Sequence, residues 1–265
     1  MAVEAERTEA AGRPAREPTR ARGKLVFRQS VFTRLTHWVW AICLFFLLLS
    51  GLQIFNAHPT LYIGEQSGFA FDNAVLEMGA VRRADGSVAG VTEVFGQRFE
   101  TTGVFGVSGD AARPQFQGFP GWLTIPSYRD LATGRVVHFF FAWLLVGTLA
   151  VWLVASLVNG HLRRDLAPGP RTWRRLPRDI WDHVRFRFAH RRRYSPLQKI
   201  SYAVVLFILF PLIILTGLAM SPGMNAAWPF LLDIFGGRQT ARTIHFITML
   251  ALVGFFVVHI VMGVL

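Results

Sequence analysis

Four apolar runs punctuate the chain, at about residues 35–55, 136–158, 200–220 and 242–265. Each holds roughly 20 residues, the number an α-helix needs to cross a hydrocarbon core of about 30 Å. The pattern predicts an all-α integral membrane protein built as a four-transmembrane-helix bundle. The first run opens at Arg34-Leu-Thr-His37-Trp38 and closes at Asn56, His58 and Pro59. Pro211 lies inside the third, where a missing N–H and a clashing ring predict a bend. The last run carries a histidine near each end, His245 and His259, with thirteen uncharged residues between them.

The stretches between the runs differ in kind. Residues 1–26 are Ala, Arg, Glu and Pro without an apolar block, which predicts a disordered tail rather than a signal peptide. Residues 57–134 hold Gly, Pro and scattered charge but no long apolar run, and predict a loop domain inserted between helices 1 and 2. Alternation over Ala80 to Val94, interrupted by Asp85-Gly86, predicts a β-hairpin there. This connection is far longer than two neighbouring spans require. Phe116, Phe119, Trp122 and Tyr128 cluster near its end, as a docking surface would; an insertion without a role is the plainer alternative. In the 159–199 connection Trp173, Ile180, Trp181, Val184 and Phe188 recur at helical spacing, which fits an interfacial helix or a solvated basic loop equally well. Ser221-Pro222-Gly223 precedes a short apolar segment, Ala226 to Phe235, expected to rest on the outer surface before Gly236-Gly237 leads into the last span.

Composition agrees with a membrane chain: 52% of 265 residues are hydrophobic, with 24 Phe and 8 Trp. A single cysteine, Cys43, excludes an internal disulfide, a Cys-held iron–sulfur cluster and a C-x-x-C-H haem attachment. The net charge of +12 points to nucleic acid only if its distribution is ignored. Lys and Arg outnumber Asp and Glu by 8 to 4 in residues 1–34 and by 12 to 3 in 159–199, but only by 2 to 1 in 220–242, and are outnumbered 6 to 8 in 57–135. This alternation is what the positive-inside rule requires of four spans with a cytoplasmic N-terminus and an external 57–134 segment. A lipid membrane, and no nucleic acid, is the partner it implies.

That topology sorts the histidines by depth. His37 begins an outward span and is therefore near the cytoplasmic side. His138 and His245 begin inward spans and are both outer. His259, fourteen residues beyond His245, is displaced by roughly 21 Å along the axis and about 40° around it, so it is inner and on nearly the same face. His138 with His245 makes an outer bis-histidine pair, and His37 with His259 an inner one. Paired imidazoles suit two non-covalent b-type haems in electron transfer, because both axial positions are filled. Zinc or copper at two such sites would be short of ligands. Arg34, Arg135 and Arg242 each stand three residues before a candidate ligand, one turn nearer the water, where they can meet haem propionates; snorkelling at the boundary is the plainer account. Gly147 and Gly254 each follow an outer ligand by nine residues and would let a flat macrocycle approach. His58 reads as a loop residue, and His183 and His190 as solvated. His161, Lys199 and Tyr202 border the inner site as candidates to hydrogen-bond a quinone, against ordinary roles as a solvated, an anchoring and an interfacial side chain.

At these residues the chain resembles the bacterial di-haem cytochrome b561 and nickel-hydrogenase b-type cytochrome family, which includes membrane subunits of hydrogenases and formate dehydrogenase. The resemblance covers residues 27–265 and is most specific at Arg34-Leu-Thr-His37-Trp38 and at the His245 and His259 spacing. Tyr194-Ser-Pro-Leu-Gln-Lys199, Leu215-Thr-Gly-Leu-Ala-Met-Ser-Pro222 and Gly236-Gly-Arg-Gln-Thr-Ala-Arg-Thr-Ile-His245 further resemble the branch labelled thiosulfate-reductase-type cytochrome b. The resemblance implies an outer haem on His138 and His245, an inner haem on His37 and His259, quinone near the inner one, a bacterial inner membrane and a periplasmic, molybdenum-containing oxidoreductase as partner. Two features depart from it. The 57–134 segment is not the short loop of the simplest members, and Leu265 falls inside an apolar run, as expected of a span whose final residues are missing. The function expected is electron carriage between quinone and an external partner, with quinone redox the only chemistry. Its rivals are a stand-alone oxidase of superoxide or a small reductant, which would need no docking segment, and a haem-free scaffold or transporter, which would show no Soret band.

Overall fold

A computed structural model describes residues 30–68, 70–110, 113–160, 162, 167–185 and 195–264. The 1–26 tail, His161, Phe188 and His190 lie outside the described residues, as do the side chains of His183 and Val184. Among the described residues four helices are long and apolar enough to cross a membrane: Val31–Phe55, Leu131–Val158, Pro196–Met220 and Arg238–Met262. At about 1.5 Å per residue the shortest, of 25 residues, exceeds the hydrocarbon thickness. The chain is a multi-pass membrane protein built as a helical bundle.

Helix α1 (Val31–Phe55) begins one turn before its apolar run because Ser30 caps it, accepting a hydrogen bond from Thr33 N at 3.1 Å. Helix α2 (Leu131–Val158) is capped likewise by Asp130 on Thr133 N, 3.0 Å. In the basic connection lies α3 (Pro170–Val184), whose Asp179 carboxylate accepts from Leu197 N at 2.9 Å and so fixes it against the start of the third span. A helix, and not only a solvated loop, therefore occupies this connection. Trp173, Ile180 and Trp181 are exposed on it.

The third span comprises α4 (Pro196–Val204), one π-helical turn (Val205–Leu209) and α5 (Phe210–Met220). It starts with a reciprocal capping box between Ser195 and Gln198 and with proline in the first turn. The π-turn falls immediately before Pro211, where a proline inside a helix must disturb the regular ladder. Two short helices, α6 (Pro222–Ala227) and α7 (Phe230–Phe235), then lead to α8 (Arg238–Val264). Between α7 and α8, Gly237 has φ +105° and a Cβ there would stand 2.7 Å from the Gly64 carbonyl oxygen, so only glycine fits.

The first two spans pack along each other, as do the last two. Phe46 and Phe141 stack at 4.3 Å in the first hairpin, and Trp40 donates to Thr148 Oγ1 at 3.2 Å. Trp40 also meets Phe210 edge-on, and Phe55 meets Phe246 at 4.9 Å, joining one hairpin to the other.

Between α1 and α2 the chain forms a four-stranded antiparallel sheet, β1 (Thr60–Tyr62), β2 (Ala74–Arg82), β3 (Val88–Val94) and β4 (Gln97–Glu100), in that order. A separate hairpin follows, β5 (Gly106–Asp110) with β6 (Arg113–Gln117). The β2–β3 hairpin turns at Asp85-Gly86: Asp85 accepts from Ser87 N and Gly86 has φ +85°. These strands sit on one end of the bundle, here called the strand end. Asn56, at the foot of α1, holds Phe119 through both backbone groups, and Gln53 donates to the Tyr128 carbonyl at 2.6 Å. On the other hairpin, the Gly64 carbonyl accepts from Gln239 N and Thr240 N at 3.1 Å, satisfying free N–H groups at the start of α8. Thr243 Oγ1 donates to the Tyr62 carbonyl at 2.7 Å. The strand segment thus ties α1 to α8.

Candidate functional site

Helix α8 carries His245 near the strand end and His259 near the far end. Its neighbours place one histidine opposite each. His138 of α2 lies against His245 with ring centroids 6.4 Å apart and planes inclined by 57°. His37 of α1 lies against His259 at 6.2 Å and 50°. A metal–nitrogen bond of about 2.0 Å on each side, added to the distance from ring nitrogen to ring centre, gives a centroid separation of roughly 6.3 Å. Both pairs are therefore spaced as two imidazoles are across one metal ion.

The hydrogen bonds of the strand-end pair suit one tautomer of each ring. Ser50 Oγ donates its only proton to the Phe46 carbonyl at 2.6 Å and lies 3.1 Å from His138 Nδ1. It is placed to accept at the second contact, and the Leu47 carbonyl beside the same ring can only accept, an arrangement suited to Nδ1 carrying the ring proton and Nε2 keeping its lone pair. Thr216 repeats the arrangement on the other hairpin: it donates to the Leu212 carbonyl at 2.7 Å and lies 3.0 Å from His245 Nδ1. A glycine follows each hydroxyl residue. A Cβ on Gly51 would stand 3.3 Å from His138 Cε1, and one on Gly217 would stand 3.4 Å from His245 Cε1. Ser50-Gly51 and Thr216-Gly217 are thus matching cradles, each on the helix beside the histidine it holds.

At the far end, His259 stacks on Phe255 at 5.6 Å and meets the edge of Tyr202 at 6.3 Å. Lys199, half-buried, stands one turn before Tyr202 on α4. Of the three arginines, Arg34 and Arg135 are exposed, Arg135 lying over the Phe139 ring at 5.6 Å. Arg242 is turned to the protein: its guanidinium donates to the His58 carbonyl and lies 5.6 Å from the centre of the Phe55 ring. His58 itself bonds Tyr62 Oη through Nε2 at 3.1 Å. Burial, then the Arg242 charge, hold its pKa below the usual histidine range, with Glu77 opposing. No open space is needed to explain it.

Among the described residues no cluster of three or more His, Cys, Asp and Glu side chains is placed to hold a metal ion. A zinc site, which wants four protein ligands or three and water, is not built at either pair. A planar macrocycle brings its own four nitrogens and needs only two axial ligands, which is what each pair offers. Gly147 and Gly254 are exposed, and a Cβ on either would meet nothing within 4 Å, so neither helix needs glycine there for its own packing. The residues present fit haem. The hydroxyl–glycine cradles are the feature that sequence reasoning missed; two hydroxyl–glycine dipeptides inside apolar spans, Ser50-Gly51 and Thr216-Gly217, were the available signal.

Residues 132–265 match the family profile of prokaryotic cytochrome b561. The match takes in His138, His245 and His259 and leaves His37 and the strands outside it. Over 127 residues the chain is 30% identical to a candidate protein-methionine-sulfoxide reductase subunit, YedZ1, of Azospira oryzae, an alignment covering 47% of this chain and 62% of that protein. The chain therefore spans less than two thirds of that relative's length. No solved structure matches the chain. On the profile match and the paired histidines, the chain belongs to the prokaryotic cytochrome b561 family, membrane cytochromes that carry electrons on b-type haem.

Proposed function

We propose that this chain holds two non-covalent haem b groups and passes electrons between the membrane quinone pool and an oxidoreductase partner outside the cytoplasmic membrane. The observation that carries the reading is the pair of 6.4 and 6.2 Å histidine contacts sharing one helix, α8. Bound there, haem b would supply reversible one-electron exchange. His138 and His245 are the outer ligands, His37 and His259 the inner. Arg34 and Arg135, one turn from His37 and His138, are suited to the carboxylates of the bound groups. Arg242 has a second occupation, clamping the His58 carbonyl.

The charge alternation supports a bacterial inner-membrane chain with residues 1–26 cytoplasmic and the 57–134 loop domain external, the whole of 27–265 forming one cytochrome unit. The amphipathic α3, with exposed Trp173 and Trp181 beside Arg171, Arg174 and Arg178, suits the cytoplasmic lipid surface. The strand segment is the surface offered to the partner. A reductase subunit among the relatives favours an oxidoreductase there, and the branch resemblance favours a molybdenum-containing one. Quinone belongs at the inner end, where Tyr202 beside His259 and Lys199 one turn away supply a hydroxyl and an ammonium for its oxygens. His161 is a third candidate.

Quinol reduction tests this assignment in two variants. With the outer haem removed by His138→Ala, quinol is expected to reduce the inner haem at the wild-type rate. With the inner removed by His37→Ala, quinol should leave the outer haem oxidised. The reverse pattern would place quinone under the strands. A variant lacking the strands that still passes electrons from a small reductant to quinone as well as wild type does would favour a stand-alone oxidase.

A further inference from the structure

We propose that Ser50-Gly51 and Thr216-Gly217 are positioning elements that set the potential of the outer haem separately from the inner one. The inference rests on the two-site reading above. Its basis is the hydrogen-bond geometry: each hydroxyl donates to a carbonyl one turn back, at 2.6 Å for Ser50 and 2.7 Å for Thr216, and is thereby placed to accept from Nδ1–H of His138 or His245, a proton it shares with the Leu47 or Ile213 carbonyl. Both hydroxyl residues are fully buried, so water does not compete for the bond. A ring N–H held by an acceptor makes the opposite nitrogen a stronger electron donor. Stronger donation on both axial sides favours ferric over ferrous iron and lowers the outer potential.

The glycines let each ring lie close beside its hydroxyl helix. A Cβ at position 51 would stand 3.3 Å from the ring carbon beside Nδ1 of His138, a tight contact that shifts the ring by a few tenths of an ångström, and one at 217 would stand 3.4 Å from that of His245, at the edge of ordinary contact. The two cradles come from different hairpins, α1 serving α2 and α5 serving α8, so each holds its ligand independently of the other. The inner pair is surrounded differently, His259 packing between Phe255 and Tyr202. It also lies roughly 21 Å along α8 from the outer pair, beyond the reach of either hydroxyl.

The test is an optical redox titration of the purified holoprotein, with the outer wave identified as the one missing from His138→Ala. Ser50→Ala and Thr216→Ala are each expected to move the outer wave to higher potential and leave the inner wave in place. The expected change in the ferric-to-ferrous ratio at fixed potential is up to about tenfold, or about 59 mV for a one-electron couple. Ser50→Thr and Thr216→Ser, which keep the hydroxyl, should return the wave to its wild-type position. Gly51→Ala should alter the low-spin ferric resonance signal of the outer haem while the inner signal stays unchanged. An outer wave unmoved in both alanine variants overturns the proposal, as does an equal shift in the hydroxyl-retaining variants. If His138→Ala removes neither wave, the two-site reading falls, and this inference with it.

Discussion

Alanine at His138 or at His245 is expected to abolish the same haem, and alanine at His37 or at His259 the other, leaving one haem per chain in each variant. The expectation follows from the ring separations of 6.4 and 6.2 Å within each pair and from the roughly 21 Å of helical rise between His245 and His259. Losing one imidazole of a pair would leave the group that the pair holds with a single protein ligand. His58→Ala should lose neither haem, because that ring is bonded to Tyr62 and its carbonyl, not its imidazole, engages Arg242. Cofactor extraction and a reduced-minus-oxidised spectrum of each variant check this. Loss of different haems from His138→Ala and His245→Ala would break the pairing.

Asn56→Ala should detach the strand segment from the bundle without loss of bound haem. Asn56 is 2% exposed. Its Oδ1 accepts from Phe119 N at 2.7 Å and its Nδ2 donates to Phe119 O at 2.9 Å. Alanine leaves both backbone groups buried without these partners, at about 1–3 kcal/mol for each. The loss is concentrated where the strands meet α1, close to Gln53, the other contact from that helix. Limited proteolysis should cut within 57–130 much faster than in wild type, and the thermal transition should fall. If the segment receives a partner protein, reduction by that partner should fail while reduction of the inner haem by quinol persists. Unchanged proteolysis would show that Leu61, Met78 and Phe119, packed with Leu52 and Phe55 in one core, hold the segment without the asparagine.

The spans are legible because membrane helices write themselves as long apolar runs, whereas their first turns lie in polar sequence outside those runs. The helices begin at Val31, Leu131, Pro196 and Arg238, four or five residues before the runs. Ser30, Asp130 and Ser195 cap three of them in polar sequence, and the Gly64 carbonyl receives the fourth from 176 residues away in the chain. The β2–β3 hairpin was readable from Asp85-Gly86, a local signal. Strands β1, β4, β5 and β6 are three to five residues long and owe their pairing to distant partners, so alternation alone does not reveal them. In the site, reading the histidines by depth couples His138 with His245 and His37 with His259, the rings that lie 6.4 and 6.2 Å apart. The cradles depend on which way each ring faces across a helix interface, with Ser50 and His138 separated by 88 positions, and no spacing rule encodes that. Arg242 shows the converse: its spacing from His245 matches that of Arg34 from His37, but a carbonyl contributed by the inserted segment engages its guanidinium.

The most direct measurement is the number of haem b groups per chain in protein purified after expression with full cofactor supply, by acid-acetone extraction against quantitative amino-acid analysis. The account predicts two, both extracted, because Cys43 is the only cysteine and neither haem is covalently attached through a C-x-x-C-H motif. One haem or none would contradict the two-site bundle.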